Sequence, residues 1–247
     1  MCPFMTVSPL KTVRLDHKKI GRNDEMAFIQ IENITKVYQN GKNEFQALRG
    51  VSFQIERGEF VAITGKSGCG KSTMLNILGG MDRQTQGKYL FEDVDVSRLR
   101  NKALAEFRNK KVGFVFQSFY LAGEMDAIHN VELPMGYGGI RSAQRRRRAA
   151  ELLAEVGLEN KQKSRPSQMS GGEQQRVAIA RAISNSPSVL LADEPTGNLD
   201  HENGKQVMGL LRRLNKDGLT IVMVTHDLEL AGEADRLIRM QDGRIVS

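Results

Sequence analysis

The sequence predicts an α/β fold with a parallel sheet at its centre, an N-terminal antiparallel β layer and an α-helical subdomain. Phe60-Val61-Ala62-Ile63, Val189-Leu190-Leu191-Ala192 and Ile221-Val222-Met223-Val224 are unbroken apolar runs. That is the pattern of strands buried on both faces of a parallel sheet. Ile29 and Ile31, and the stretch Val51-Ser52-Phe53-Gln54-Ile55, instead alternate apolar with polar, as half-exposed antiparallel strands do. From about residue 120 to 187 such runs are missing and the sequence reads mainly as helix.

At 247 residues and 40% hydrophobic, the chain can bury a substantial core. Residues 1–25 read as a basic, aperiodic tail and 26–247 as the folded unit, with Met26 an alternative start. Met1-Cys2-Pro3-Phe4-Met5 has no hydrophobic core and Lys18-Lys19 follow, so no signal peptide is expected. No apolar run approaches the ~20 residues of a membrane span. The chain is therefore expected to be soluble and to reach a membrane only through a partner. Two cysteines, Cys2 and Cys69, suit a reducing cytoplasm rather than a disulfide framework.

The formal charge of +7 is densest at Arg145-Arg146-Arg147-Arg148, which leads into Ala149, Leu152, Leu153 and Val156 at helical spacing, with Gly157 as the stop. A solvated helix start, with Arg147 in reach of Glu151, explains this run. No aromatic residues are interleaved for stacking, so no nucleic acid is expected.

Taken in order, Asn40-Gly41 reads as a hairpin turn, Thr73–Leu78 as a helix, and Val207, Leu210, Leu211 and Leu214 as the apolar face of another, stopping at Gly218. The three apolar strands end in Gly65, Asp193-Glu194 and Thr225-His226-Asp227. Ligands of open α/β sheets lie beyond the carboxyl ends of the strands, so these ends should converge on one site.

Gly65-Lys66-Ser67-Gly68-Cys69-Gly70-Lys71-Ser72 fits G-x-x-x-x-G-K-[ST] between a strand and the helix opened by Thr73. Its backbone N–H groups can curl around phosphate oxygens, helped by the positive end of the helix. Lys71 should lie against the β- and γ-phosphates, and Ser72 should ligate Mg²⁺. Asp193 is the expected outer partner of Mg²⁺, and Glu194 the residue that polarises the attacking water. Adjacent strand residues point opposite ways, which would separate the two tasks. An acidic helix cap is the alternative for this pair. His226 suits a contact to the γ-phosphate and to Glu194, although a lone histidine after a strand is more often structural.

Met169-Ser170-Gly171-Gly172-Glu173-Gln174-Gln175-Arg176-Val177 lies between the phosphate loop and Asp193. Ser170 and Glu173 fit a capping box that could simply start the helix carrying Val177, Ile179, Ala180 and Ile183. With the other motifs in this order, the chain resembles the ATPase subunit of ABC transporters from about residue 28 to 246. The resemblance implies a P-loop NTPase (RecA-like) core that binds ATP and Mg²⁺ and works as a homodimer. Ser170, Gly171, Gly172 and Glu173 of one copy would face the γ-phosphate held by Lys71 of the other. Tyr38 would stack on adenine, Gln117 would sense Mg²⁺ and water and link the lobes, and Gly197-Asn198-Leu199-Asp200 would cross between copies. His226 would contact the γ-phosphate.

Leu78-Gly79-Gly80-Met81-Asp82-Arg83 and Ala192-Asp193-Glu194-Pro195-Thr196-Gly197 resemble the group of macrolide-export (MacB) and lipoprotein-release (LolD) ATPases. The implied partner is an integral membrane permease of FtsX, MacB or LolC type, with the chain peripheral on the inner face of the cell membrane. Two alternatives are an FtsE-like ATPase regulating a membrane complex and a soluble ATPase acting on DNA or ribosomes. Three features depart from the group: Phe119-Tyr120-Leu121-Ala122-Gly123 after Gln117, His129 before Asn130, and Cys69 in the phosphate loop. The first two lie where relatives receive the permease's cytoplasmic helix. Cys69 is either a tolerated small residue or a thiol exposed in the site and open to alkylation.

Overall fold

The computed structural model describes residues 27–41 and 43–246; the expected tail, Met26 and Cys2 lie outside the described residues. The order is β1 (Ile29–Asn40), β2 (Asn43–Ile55), β3 (Phe60–Thr64), α1 (Lys71–Leu78), β4 (Gln86–Phe91), β5 (Val94–Asp95), α2 (Asn101–Lys111) and β6 (Val112–Phe116). Then follow α3 (Ala127–Tyr137), α4 (Ser142–Glu155), α5 (Gly171–Ala182), β7 (Val189–Asp193), α6 (His201–Lys216), β8 (Thr220–Val224), α7 (Leu228–Ala231), β9 (Arg236–Gln241) and β10 (Arg244–Ile245). An antiparallel sheet runs β2-β1-β4-β5, and a second sheet runs β10-β9-β3-β8-β7-β6, parallel from β9 to β6.

The apolar runs explain themselves in this arrangement. Phe60, Ala62, Val115, Leu190, Ala192, Ile221 and Met223 join one core, while Val61, Ile63, Val112, Val189, Leu191, Val222 and Val224 join another. Successive residues of a strand face opposite sides of the sheet. Because both sides are covered, every position must be apolar. The first core packs against α3, α4, α5 and α6; the second packs against α1, α2 and the antiparallel layer. Residues 120–187 contain α3, α4 and α5 and no strand.

Val51 and Ile55 are buried while Ser52 and Gln54 are exposed, as the alternation predicts. Three local details differ. Strand β1 continues through Asn40, which pairs with Asn43, so the turn falls after Asn40 with Gly41 at φ 61°. Helix α1 starts at Lys71, two residues before the expected Thr73. The arginine run sits inside α4 rather than at its start. Arg147 Nε reaches Glu151 at 3.0 Å, but Arg145 and Arg146 turn toward the buried Glu132 of α3 at 3.8 and 3.7 Å. Only part of that run is a solvated face. The stops are as read, with Gly157 at φ 73° and Gly218 at φ 99°.

Gly79, which ends α1, is fixed by space rather than by backbone angle. A β-carbon there would lie 2.1 Å from ring atoms of Phe114 and 3.2 Å from Leu191. Gly79→Ala should therefore overpack the contact between α1 and the sheet. A loss of about 1–3 kcal/mol is expected in urea unfolding; unchanged stability would show that the Phe114 ring gives way freely.

Candidate functional site

The carboxyl ends of β3, β7 and β8 meet at one edge because Ile63 and Asp193 are both in register with Val224. Across this edge lies a cavity of about 380 Å³ lined by Ser67, Gly68, Gly70, Lys71, Ser72 and Thr73 on one side. Gln117, Asp193, Glu194 and His226 line another, and Phe45 and Ala47 of β2 close it. The phosphate loop turns through Gly65, Gly68 and Gly70 at φ 154°, 77° and 103°. At Gly65 a β-carbon would lie 2.2 Å from the Met240 carbonyl oxygen, so only glycine passes there. Lys71 Nζ donates to the Gly65 and Lys66 carbonyls at 2.8 and 3.1 Å, folding the ammonium over the loop.

Ser72 Oγ stands 3.5 Å from Asp193 Oδ1. Burial raises the Asp193 carboxyl above its ordinary value; the Ser72 hydroxyl works against this, and the charge of Glu194 adds to it. Glu194 is not the next residue of an extended strand. It has φ 47°, its N–H donates to the Val224 carbonyl at 2.9 Å, and β7 stops at Asp193. The two carboxylates are thus separated by a left-handed residue, not by strand alternation, which corrects the expected reason. A non-glycine residue at positive φ costs energy and persists only when its surroundings hold it. Glu194 Oε1 lies 2.8 Å from His226 Nδ1, and Oε2 accepts from the buried Thr225 hydroxyl at 3.3 Å. Neither carboxylate is a helix cap. Asp200 performs that task for α6, accepting from the Asn203 N–H at 2.9 Å.

Gln117 is tied to the loop that follows β7: its Nε2 donates to Asn198 Oδ1 at 3.2 Å, and Asn198 Nδ2 donates to the Gln117 carbonyl at 3.0 Å. Ser72, Gln117 and Asp193 offer only oxygen donors to this part of the cavity, a set that suits a hard divalent cation such as Mg²⁺. Among the described residues, no group of three or more His, Cys, Asp or Glu is placed to hold a metal alone.

Ser170, Gly171, Gly172 and Glu173 do not line this cavity. They form the start of α5, with the full capping box present: Ser170 Oγ accepts from the Glu173 N–H at 3.2 Å, and Glu173 Oε2 accepts from the Ser170 N–H at 2.8 Å. That backbone bond, aided by Lys161, holds the Glu173 carboxyl below its ordinary value. Tyr38 also lies outside the lining. Its hydroxyl donates to Asp82 Oδ2 at 2.7 Å, and Lys36 Nζ stands 4.7 Å from its ring centre. Phe45, opposite Tyr38 on β2, is in the lining and 59% exposed. The sequence reading passed over Phe45; its cross-strand pairing with Tyr38 was the available signal, because opposed residues share a face.

Cys69 settles one alternative. It is 5% exposed and belongs to the second core, so the small-residue reading holds and the exposed thiol does not. The segment after Gln117 bends through Phe119 and Tyr120 at φ 49° and 47°, with Arg181 donating to both carbonyls. Beside it a groove of about 860 Å³ runs between α2, β6, α3 and α5, lined by Met81, Phe114, Phe116, Pro134, Tyr137 and Arg181 among others.

The ABC transporter family profile matches residues 48–197, from β2 through the loop that follows Glu194. The chain belongs to the ABC transporter family. It is an ATP-binding cassette, an ATPase by family. It is 51% identical over 217 residues to an ABC transporter ATP-binding protein of Thermotoga maritima, covering 88% of this chain and 93% of that one. It is 49% identical to the macrolide export ATP-binding/permease protein MacB of Nitrobacter winogradskyi over 89% of its own length, which spans 34% of that larger protein. The dimeric, post-hydrolysis structure of the cassette MJ0796 bound to ADP and Pi superposes with a TM-score of 0.82 at 43% identity, covering 89% of this chain and 97% of that one. Among the described residues, no helix of the cassette is long and apolar enough to cross a membrane.

The position of Phe45 generates a prediction. Phe45→Ala should weaken ATP binding about tenfold, within the range of base–aromatic stacking, while leaving the binding of inorganic tripolyphosphate unchanged. Competition against a fluorescent nucleotide measures both. Equal loss for the two ligands would mean that Phe45 shapes the loop rather than meeting the base.

Proposed function

We propose that two copies of this cassette close around two ATP molecules and hydrolyse them to drive a membrane permease. The observation that carries this reading is the split between two half-sites. Lys71, Ser72, Asp193, Glu194 and His226 share one cavity, whereas the glycine-rich start of α5 lies outside it, where the N-terminal end of that helix can meet a ligand held elsewhere. A second copy supplies the missing partner for each. The dimeric state of the cassette MJ0796 supports this arrangement.

In the proposed cycle the phosphate loop and Lys71 hold the triphosphate, Phe45 and Tyr38 stand on the base side, and Ser170, Gly171 and Gly172 of the other copy approach the γ-phosphate. Ser72, Gln117 and Asp193 would hold Mg²⁺, which supplies charge neutralisation at the phosphates. Glu194 accepts a proton from water as the water oxygen bonds the γ-phosphorus and the bond to the bridging oxygen of ADP breaks. His226 holds the Glu194 carboxylate from one side and Thr225 from the other. Positioning and electrostatics do most of the work of phosphoryl transfer, so this preset geometry is what the fold contributes.

We place the permease's cytoplasmic segment in the groove between α2, β6, α3 and α5, which puts the cassette on the inner face of the membrane. The names of the MacB relatives, macrolide export proteins, support export as the work being driven; handling of lipoproteins or antimicrobial compounds is the form of it we propose. The chain spans about a third of those proteins.

Glu194→Gln should leave ATP binding intact, lower turnover at least about a hundredfold, and convert the cassette to a long-lived ATP-bound dimer on size-exclusion chromatography. A monomer with normal turnover would defeat the reading. Purified from membranes under gentle detergent, the wild type should carry an integral membrane permease; recovery of ribosomes or DNA instead would place the ATPase in another system.

A further inference from the structure

Gln175 is fully buried on the second turn of α5, and its amide nitrogen donates to two carbonyls, Phe116 at 3.2 Å and Pro195 at 2.6 Å. Phe116 immediately precedes Gln117, and Pro195 immediately follows Glu194. One side chain on the helix that begins at Ser170 therefore grips the backbone on which two reacting-site residues are mounted. Its Oε1 has no partner. A buried acceptor left unpaired is unfavourable, so what the position gains is the pair of donated bonds.

The bond to Pro195 matters most for Glu194. That residue is held at φ 47° from one side by its N–H on Val224 of β8. Gln175 holds the next carbonyl from the other side. A left-handed non-glycine residue relaxes unless it is fixed at both ends, and relaxation would carry the carboxylate away from His226 and Thr225. Gln117 is fixed in the same way, by Gln175 at the preceding carbonyl and by Asn198 at its side chain.

We propose that Gln175 is a positioning residue that locks Gln117 and Glu194 to the first turns of α5. The reacting groups of each ATP site are then set by whether that copy's own helix start has engaged the nucleotide across the pair. The second half of this statement rests on the paired reading above; the first does not.

Gln175→Met keeps the length of the side chain and removes both donors. It should lower kcat about tenfold while the affinity for a fluorescent ATP analogue stays within about twofold, because no phosphate-loop contact changes. The Hill coefficient for ATP hydrolysis should fall toward one. Gln175→Glu adds a readout that packing alone does not move. A protonated carboxyl offers one donor and an ionised one none, and full burial at this position pushes the carboxyl far above its ordinary value, so its kcat relative to wild type should decline as pH rises from about 6 to about 9.

Wild-type kcat in Gln175→Met overturns the proposal, as does a parallel fall of kcat, affinity and melting temperature. If the Met variant does not fold, a flat pH ratio in the Glu variant overturns it. Ser170→Arg separates the two readings: wild-type turnover in that variant would sink the composite site, while a kcat-only loss at Gln175 would still support the tie to Gln117 and Glu194.

Discussion

Ile63, Val224 and Asp193 lie side by side across three parallel strands, and the N–H of Glu194 closes onto the Val224 carbonyl just beyond them. This alignment decides where the phosphate loop starts, where the two carboxylates stand and where His226 begins. It is maintained by two apolar cores that press the sheet from opposite sides, with alternate residues of each strand committed to each core. A one-residue slip of β7 would exchange the two sets of side chains and move the acidic pair away from the loop. Register is therefore specified by burial, far from the chemistry it serves.

Within that frame the charges are arranged to be used rather than neutralised. Lys71 is buried but bonded to loop carbonyls, not to a carboxylate. Asp193 is held high by burial, and Glu194 leans on a histidine and a threonine rather than on a lysine or an arginine. A site whose lysine and carboxylates were paired with each other would have to break those pairs to receive an anion and a cation. Elsewhere the chain does pair its charges: Glu92 meets both Arg57 and Lys111 at 2.6 Å, and Arg236 meets Glu59 at 2.6 Å. The contrast marks the sheet edge as the place where polar groups are kept available for ligands.

Much of this was legible because the relevant signals are local. The apolar runs of β3, β7 and β8, the loop from Gly65 to Ser72 and the capping box at Ser170 each fit within a few consecutive residues, and the structure places them as read. What escaped depends on contacts between distant segments. Phe45 enters the site only because β2 folds back on β1, so that Phe45 sits opposite Tyr38. Glu194 owes its direction to a left-handed backbone held by β8, which no side-chain pattern encodes. Cys69 occupies a loop position that sequence alone could expose or bury; it is buried in the core that also takes in Met240, and the Gly243 N–H from the far end of the chain donates to its carbonyl at 3.1 Å. Arg145 and Arg146 looked solvated until α3 brought Glu132 against them.

Gln175 belongs to the same class, since the carbonyls it holds are 59 and 20 residues away in sequence. Its surroundings also show why α5 suits a role beyond packing. The first turn carries Gly171 and Gly172 at its tip, close to Leu199 and to Asn203 in the first turn of α6, where a β-carbon at Gly172 would lie 2.1 Å from Asn203 Oδ1. The next turn carries Gln175, and the turns after it carry Val177, Ile179 and Ala180 into the core shared with the sheet. A helix packed into the core along its apolar face transmits strain rather than absorbing it, because the interior is close-packed. Any displacement of the tip by a ligand must then be shared with whatever the buried amide holds. In the paired arrangement proposed above, those held groups are the glutamine and glutamate of the copy that owns the helix, so the buried amide gives one ATP site a direct tie to the other.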